Sequence, residues 1–122
     1  MNERRDRAAS ADGVLTARID ADLIARVART IAERFHPERI ILFGSRARGE
    51  AGPDSDLDLC VEMETPLPPP ERAVAVGAAF GLHPWPMDIV VYTPEEVAQL
   101  KDVVGTLLYT IEREGTVLYE RR

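Results

Sequence analysis

Cysteine is almost missing from this sequence. Cys60 stands alone among 122 residues, so no internal disulfide is available and a reducing, cytoplasmic setting is expected. The two histidines, His36 and His83, lack ligand spacing, and one cysteine cannot complete a zinc site with them. Long apolar runs are missing too. None approaches the roughly 20 residues of a membrane-spanning helix, and the first residues carry charge where a signal peptide needs an apolar stretch. No membrane association is expected.

Basic residues are scarce in the middle of the chain. Residues 1–49 hold ten Arg against seven Asp and Glu, whereas residues 50–102 hold eleven Asp and Glu against only Arg72 and Lys101. A nucleic-acid binder normally presents a basic face, so direct nucleic-acid binding is not expected. Most of these carboxylates read as a solvated surface. Three sit in places where solvation is a poor explanation.

At 122 residues, 45% of them hydrophobic, the chain suits one core. Residues 1–17 are polar and aperiodic and read as a flexible N-terminal tail, with Arg4, Arg5 and Arg7 as solvating charges. Residues 18–122 read as the folded domain. Leu23, Ile24, Val27, Ile31 and Phe35 recur at helical spacing behind Asp20, a suitable N-cap, and Pro37 marks the end. Strands are expected at 39–43, 57–63 and 87–92, with a small-residue helix at 71–80 after the stiff connector TPLPPP. Thr93-Pro94-Glu95-Glu96 is a helix start. A further helix is expected from about Val103 to Glu114, stopped at Gly115, and TVLY adds a short edge strand. Leu100, Val103, Leu107, Leu108 and Ile111 are core by default, with part of that face available to meet a partner as the alternative. Helices alternating with short strands define an α/β (α+β) domain, a small sheet with helices packed on it.

The segment GSRARGEAGPDSDLDL, residues 44–59, carries chemistry. Side chains alternate along a strand, so Asp56 and Asp58 share a face while Leu57, Leu59 and Val61 take the other. Paired aspartates raise each other's cost of ionisation, and a hard divalent cation such as magnesium relieves it. Asp54 reads as a turn residue. Gly44 permits close backbone approach to a ligand, and Ser45 opens a turn whose hydroxyl and amides suit phosphate oxygens, with Arg46 and Arg48 beside it. Asp88 interrupts the apolar strand MDIVVY. It is either a solvated edge residue or a third carboxylate placed beside Asp56 and Asp58 to share a metal and accept a proton. Cys60 has no basic partner and reads as a packed small residue. Trp85 is more simply a loop anchor than a base-stacking platform, and Tyr92, Tyr109 and Tyr119 read as half-buried.

Gly44-Ser45, ten intervening residues, Asp56-Leu57-Asp58 and then Asp88 together resemble the nucleotidyltransferases of the DNA polymerase beta superfamily. The flanking ILFGSRARGEAGPDSDLDL and the small size are similar to its minimal branch, over roughly residues 20–120. The resemblance implies a polymerase-beta-like fold with a small mixed sheet. It implies that Gly44, Ser45 and Arg48 hold the phosphates of ATP and that Asp56 and Asp58 bind two Mg2+ ions. Asp88 would bind one of these and activate the acceptor hydroxyl. It also implies an antitoxin partnered with a helical toxin of the higher-eukaryote-and-prokaryote nucleotide-binding (HEPN) class in a hetero-oligomer, transferring AMP to a tyrosine of that toxin. Two alternatives are a non-catalytic antitoxin that masks its partner and an enzyme acting on a small molecule such as an aminoglycoside.

Overall fold

The structure, a computed structural model, describes residues 19–52 and 55–121. The expected tail with its three arginines, and Asp54, lie outside the described residues. The chain order is α1 (Ala21–Phe35), β1 (Arg39–Phe43), β2 (Leu57–Glu62), α2 (Pro69–Gly77) with a 3-10 turn at Ala78–Phe80, β3 (Met87–Tyr92), α3 (Pro94–Leu100), α4 (Leu107–Glu114) and β4 (Thr116–Glu120). The mixed α/β architecture is the expected one.

α1 forms because its apolar residues fall on one stripe and its ends are capped. Asp20 accepts from the Leu23 amide at 2.9 Å, and His36 closes the last turn in the left-handed conformation, φ 50°. Leu23, Val27 and Ile31 are buried. The sheet order is β3-β2-β1-β4. β1 pairs antiparallel with β2 and with β4, whereas β2 and β3 run parallel. A parallel pair needs a crossover, supplied by residues 63–86 with α2.

Both faces of the sheet are covered, which explains why its strands are rich in apolar residues. On one face, Ile40, Leu42, Leu57, Leu59, Val61, Ile89 and Val91 pack under α1 and α2. On the other, Ile41 and Cys60 pack under Val97 of α3 and Leu108 and Ile111 of α4. That second cover is short. Along β2 the second face reads Asp58, Cys60, Glu62, and only the middle residue is buried. Glu62 at one end is neutralised by Arg39, whose Nε lies 2.7 Å from its Oε1 and whose guanidinium also grips Glu112. Asp58 at the other end is left at the rim of the cover.

Two expectations are corrected. α2 starts at Pro69, not Glu71, because Pro69 and Pro70 fit a first turn that needs no N–H. Residues 101–106 are turns and not helix: Gly105 has φ 95°, and Thr106 caps α4 by accepting from the Tyr109 amide at 3.1 Å. Val103 and Leu107 consequently lie outside the core, 46% and 45% exposed, while Leu108 and Ile111 are buried as expected.

Candidate active site

Three segments meet where β1 ends and β2 and β3 begin. β1 delivers Gly44 at φ 76°, a conformation that side-chain-bearing residues rarely adopt. A Cβ there would lie 2.3 Å from Asp58 Oδ2 and 3.1 Å from its Cγ. Glycine is therefore required twice, for its backbone angle and for the space that Asp58 fills. The chain then coils on itself: the amides of Ala47 and Arg48 return to the Gly44 carbonyl at 3.1 and 3.2 Å, and Glu50 N to Ser45 O at 2.9 Å. In such a coil the leading amides have no acceptor within it, so Ser45 presents both an N–H and a hydroxyl.

β2 places Asp58 directly opposite Phe43, the residue before Gly44. The parallel register sets Asp58 beside Asp88, on the same sheet face. Asp56 stands two residues ahead of Asp58, just before β2 begins, and not on the rigid strand. Asp56 and Asp88 are exposed and Asp58 is half-buried. Partial burial pushes the Asp58 carboxyl above its ordinary value, the charges of Asp88 and Asp56 push it further, and Arg46 and Arg48 oppose the rise. These are the forces the sequence pattern implies: acids crowded together and only partly neutralised.

Among the described residues, no three His, Cys, Asp or Glu side chains converge tightly enough to form a ready cation cage. The donor set nevertheless fits a hard cation, because the charges of Asp88 and Asp56 bear on Asp58 and both of those carboxylates are open to solvent. Asp88 is exposed on an edge strand, and it is registered against Asp58.

The remaining singled-out residues divide clearly. Arg48 is exposed, with Nε 2.9 Å from Glu50 Oε1 and Nη1 3.8 Å from Glu114 Oε1. Cys60 is buried and its thiol is pushed up to about 12, chiefly by burial, which suits packing and not nucleophilic attack. Trp85 is a loop anchor. It packs on the core beside Phe80, ring centroids 6.4 Å apart at 77°, and beside His83. Arg46, read from sequence only as a nearby cation, is folded inward instead. The backbone acceptors it meets are distant in sequence, so no local pattern signals them. A concavity of about 780 Å3 lies elsewhere, along α1 against Leu42, Leu118 and Tyr119. Its walls are mostly apolar, and although Arg29 and His36 reach them it holds no paired carboxylates, so the carboxylate cluster remains the better candidate.

This fold and this site define a nucleotidyl-transfer domain. The family described as "Nucleotidyltransferase domain" matches residues 24–109, from α1 into α4, and the chain belongs to that family. Among solved structures, a Sulfolobus solfataricus protein whose designation as a nucleotidyltransferase is itself provisional shares the fold. Its TM-score is 0.58 at 20% sequence identity, covering 82% of this chain and 79% of that one. No curated protein matches the chain.

Proposed function

We propose that this nucleotidyltransferase transfers AMP from ATP to a hydroxyl, and that the acceptor is a tyrosine of a helical HEPN toxin partner for which this chain is the antitoxin. The observation that carries the transfer reading is the register of Asp58 against Asp88, with Gly44 pressed on Asp58 from the adjoining strand. A phosphate-receiving turn and an acidic pair are thereby held within one small region. Protein acceptors suit a site that lies open at the sheet edge, where Asp88 is exposed. The acidic middle of the chain favours a partner with a basic surface.

In this reading Ser45 and the turn amides orient the phosphates, and Arg48 leaves Glu50 and Glu114 to balance their charge. Mg2+ held by Asp56, Asp58 and Asp88 would supply charge neutralisation at the phosphates. The acceptor oxygen forms a bond to the α-phosphorus, the bond from that phosphorus to the bridging oxygen breaks, and pyrophosphate leaves. Asp88 accepts the hydroxyl proton. Positioning and electrostatics account for most of the acceleration in such transfers.

The test is to incubate the chain with ATP, magnesium and the product of its neighbouring gene, then weigh that product by mass spectrometry. One or more AMP additions, lost with Asp58→Asn, are expected. A stable complex with no mass change would replace this reading with a masking antitoxin, and modification of an aminoglycoside alone would replace it with a small-molecule enzyme.

A further inference from the structure

The GSRARG turn carries two arginines, and the fold uses them in opposite ways. Arg48 points outward to two carboxylates. Arg46 turns inward and meets backbone. Its Nη2 donates to the carbonyl of Ser55 at 2.8 Å and its Nη1 to the carbonyl of Ile19 at 3.5 Å. Its Nε is buried with no acceptor among the described residues. Burying part of a guanidinium is costly unless its donors are hydrogen-bonded, and here the two carbonyls offset part of that cost.

The two carbonyls belong to separate lead-in segments. Ile19 enters α1 and packs against the core. Ser55 directly precedes Asp56 and knits its own loop, bonding Gly52 O through its amide at 3.2 Å and accepting from Gly52 N at 2.9 Å through its hydroxyl. Two residues on, the Leu57 amide donates to Pro86 O at 3.0 Å, the first rung joining β2 to β3. A side chain on the phosphate turn therefore holds the backbone that launches the acidic strand. The same cation lies near enough to oppose the upward shift of the Asp58 carboxyl.

We propose that Arg46 is a positioning residue of the transfer site, a strut that sets the distance between the Gly44-Ser45 turn and the Asp56–Asp58 segment by holding the Ser55 and Ile19 carbonyls. The inference rests on the transfer reading for its functional consequence, and on geometry alone for the strut. Lysine carries the charge but cannot reach two divergent carbonyls with a planar fork. Charge without fork therefore separates a strut from a simple cation.

The experiment compares wild type, Arg46→Lys and Arg46→Met by amide hydrogen exchange, followed by ATP KM and kcat for AMP transfer. In both variants exchange at Ser55 and Leu57 is expected to accelerate about tenfold or more, with Ile41 and Leu59 unchanged. kcat is expected to fall on the order of 10²-fold, as about 1 Å of misplacement costs, with KM little changed. Unchanged exchange at Ser55 and Leu57 would overturn the strut, as would full recovery by Arg46→Lys. A raised KM with intact kcat would make Arg46 a nucleotide ligand instead. Loss of protection across the whole sheet in both variants would make it a fold stabiliser only. If wild type transfers no AMP to any acceptor, the functional reading fails while the exchange comparison still decides the strut.

Discussion

At the scale of single residues, Gly44 is the least replaceable position in the site. Its φ of 76° and the 2.3 Å separation between a notional Cβ and Asp58 Oδ2 act together. Gly44→Ala must therefore either flip the backbone or displace the carboxylate. Such left-handed strain costs about 1–3 kcal/mol, so a lower denaturant midpoint and loss of nucleotide binding by calorimetry are expected. Ser45→Ala removes one hydroxyl and leaves the turn intact, so binding weakens but folding is unchanged. Equal tolerance of both would contradict the close approach. Asp88→Asn separates binding from chemistry: transfer is expected to fall about 10²- to 10⁴-fold, the usual worth of a general base, while ATP affinity changes far less. Single-turnover kinetics beside calorimetry distinguish the two. The placement of Asp58 and Asp88 on one sheet face was legible in the sequence because strand alternation fixes which face a residue takes. Arg46 was not, because its function depends on carbonyls at Ser55 and Ile19 that only the folded chain brings near. Gly115 was legible as a helix stop, but what it makes room for was not. It ends α4 in extended backbone, and its absent side chain leaves room for Ile41, whose Cγ2 would lie 2.5 Å from a Cβ there.

At the scale of elements, α3 shows how a short helix is held. Thr93 accepts from Glu96 N at 3.2 Å while Glu96 Oε1 accepts from Thr93 N at 2.9 Å, a reciprocal cap that the sequence Thr-Pro-Glu-Glu announced. What the sequence did not announce is that Glu96 also receives Arg72 Nη1 at 2.7 Å, tying α3 to α2. Arg72 is buried and additionally donates through Nε to Leu67 O at 2.9 Å. The Arg72 hydrogen bond, then the Thr93 amide, hold the Glu96 carboxyl below its ordinary 4.5. Because the folded value is lower than the unfolded one, this stabilisation is complete above that ordinary value and is lost as pH falls through the folded one. Glu96→Gln is expected to be less stable than wild type near neutral pH and to lose less on acidification. Urea midpoints taken between about pH 6 and pH 3 check this slope; parallel curves would remove Glu96 from the acid response. Thr93→Ala is expected to cost about 1 kcal/mol, as loss of a cap does. Helices and strands with steady periodicity were readable in this way. The 101–106 turns were not, because Val103 and Val104 continue an apolar rhythm that Gly105 and the Thr106 cap override.

At the scale of the whole molecule, the site belongs to no single stretch of chain. Gly44, Asp58 and Asp88 come together only when β1 and β2 pair antiparallel and β2 and β3 close in parallel. A truncation within the shared core, such as Leu59→Ala, is expected to cost about 2–5 kcal/mol, since Leu59 is completely buried. It should lower the folded fraction, seen in thermal melts, with activity per folded molecule little altered. The sheet order also leaves β3 on an outer edge, and this has a consequence unrelated to phosphate chemistry. Apart from Asp88, β3 reads Met-Ile-Val-Val-Tyr, the composition that recruits a neighbouring chain to an open edge. The exposed charge of Asp88 sits inside that ribbon, where it opposes edge-to-edge pairing. Asp88→Val is accordingly expected to self-associate, visible as rising light scatter with concentration, and Asp88→Asn, uncharged but polar, to do so to a smaller extent. The acid proposed to take a proton from an acceptor would thus also be the gatekeeper of the strand that carries it.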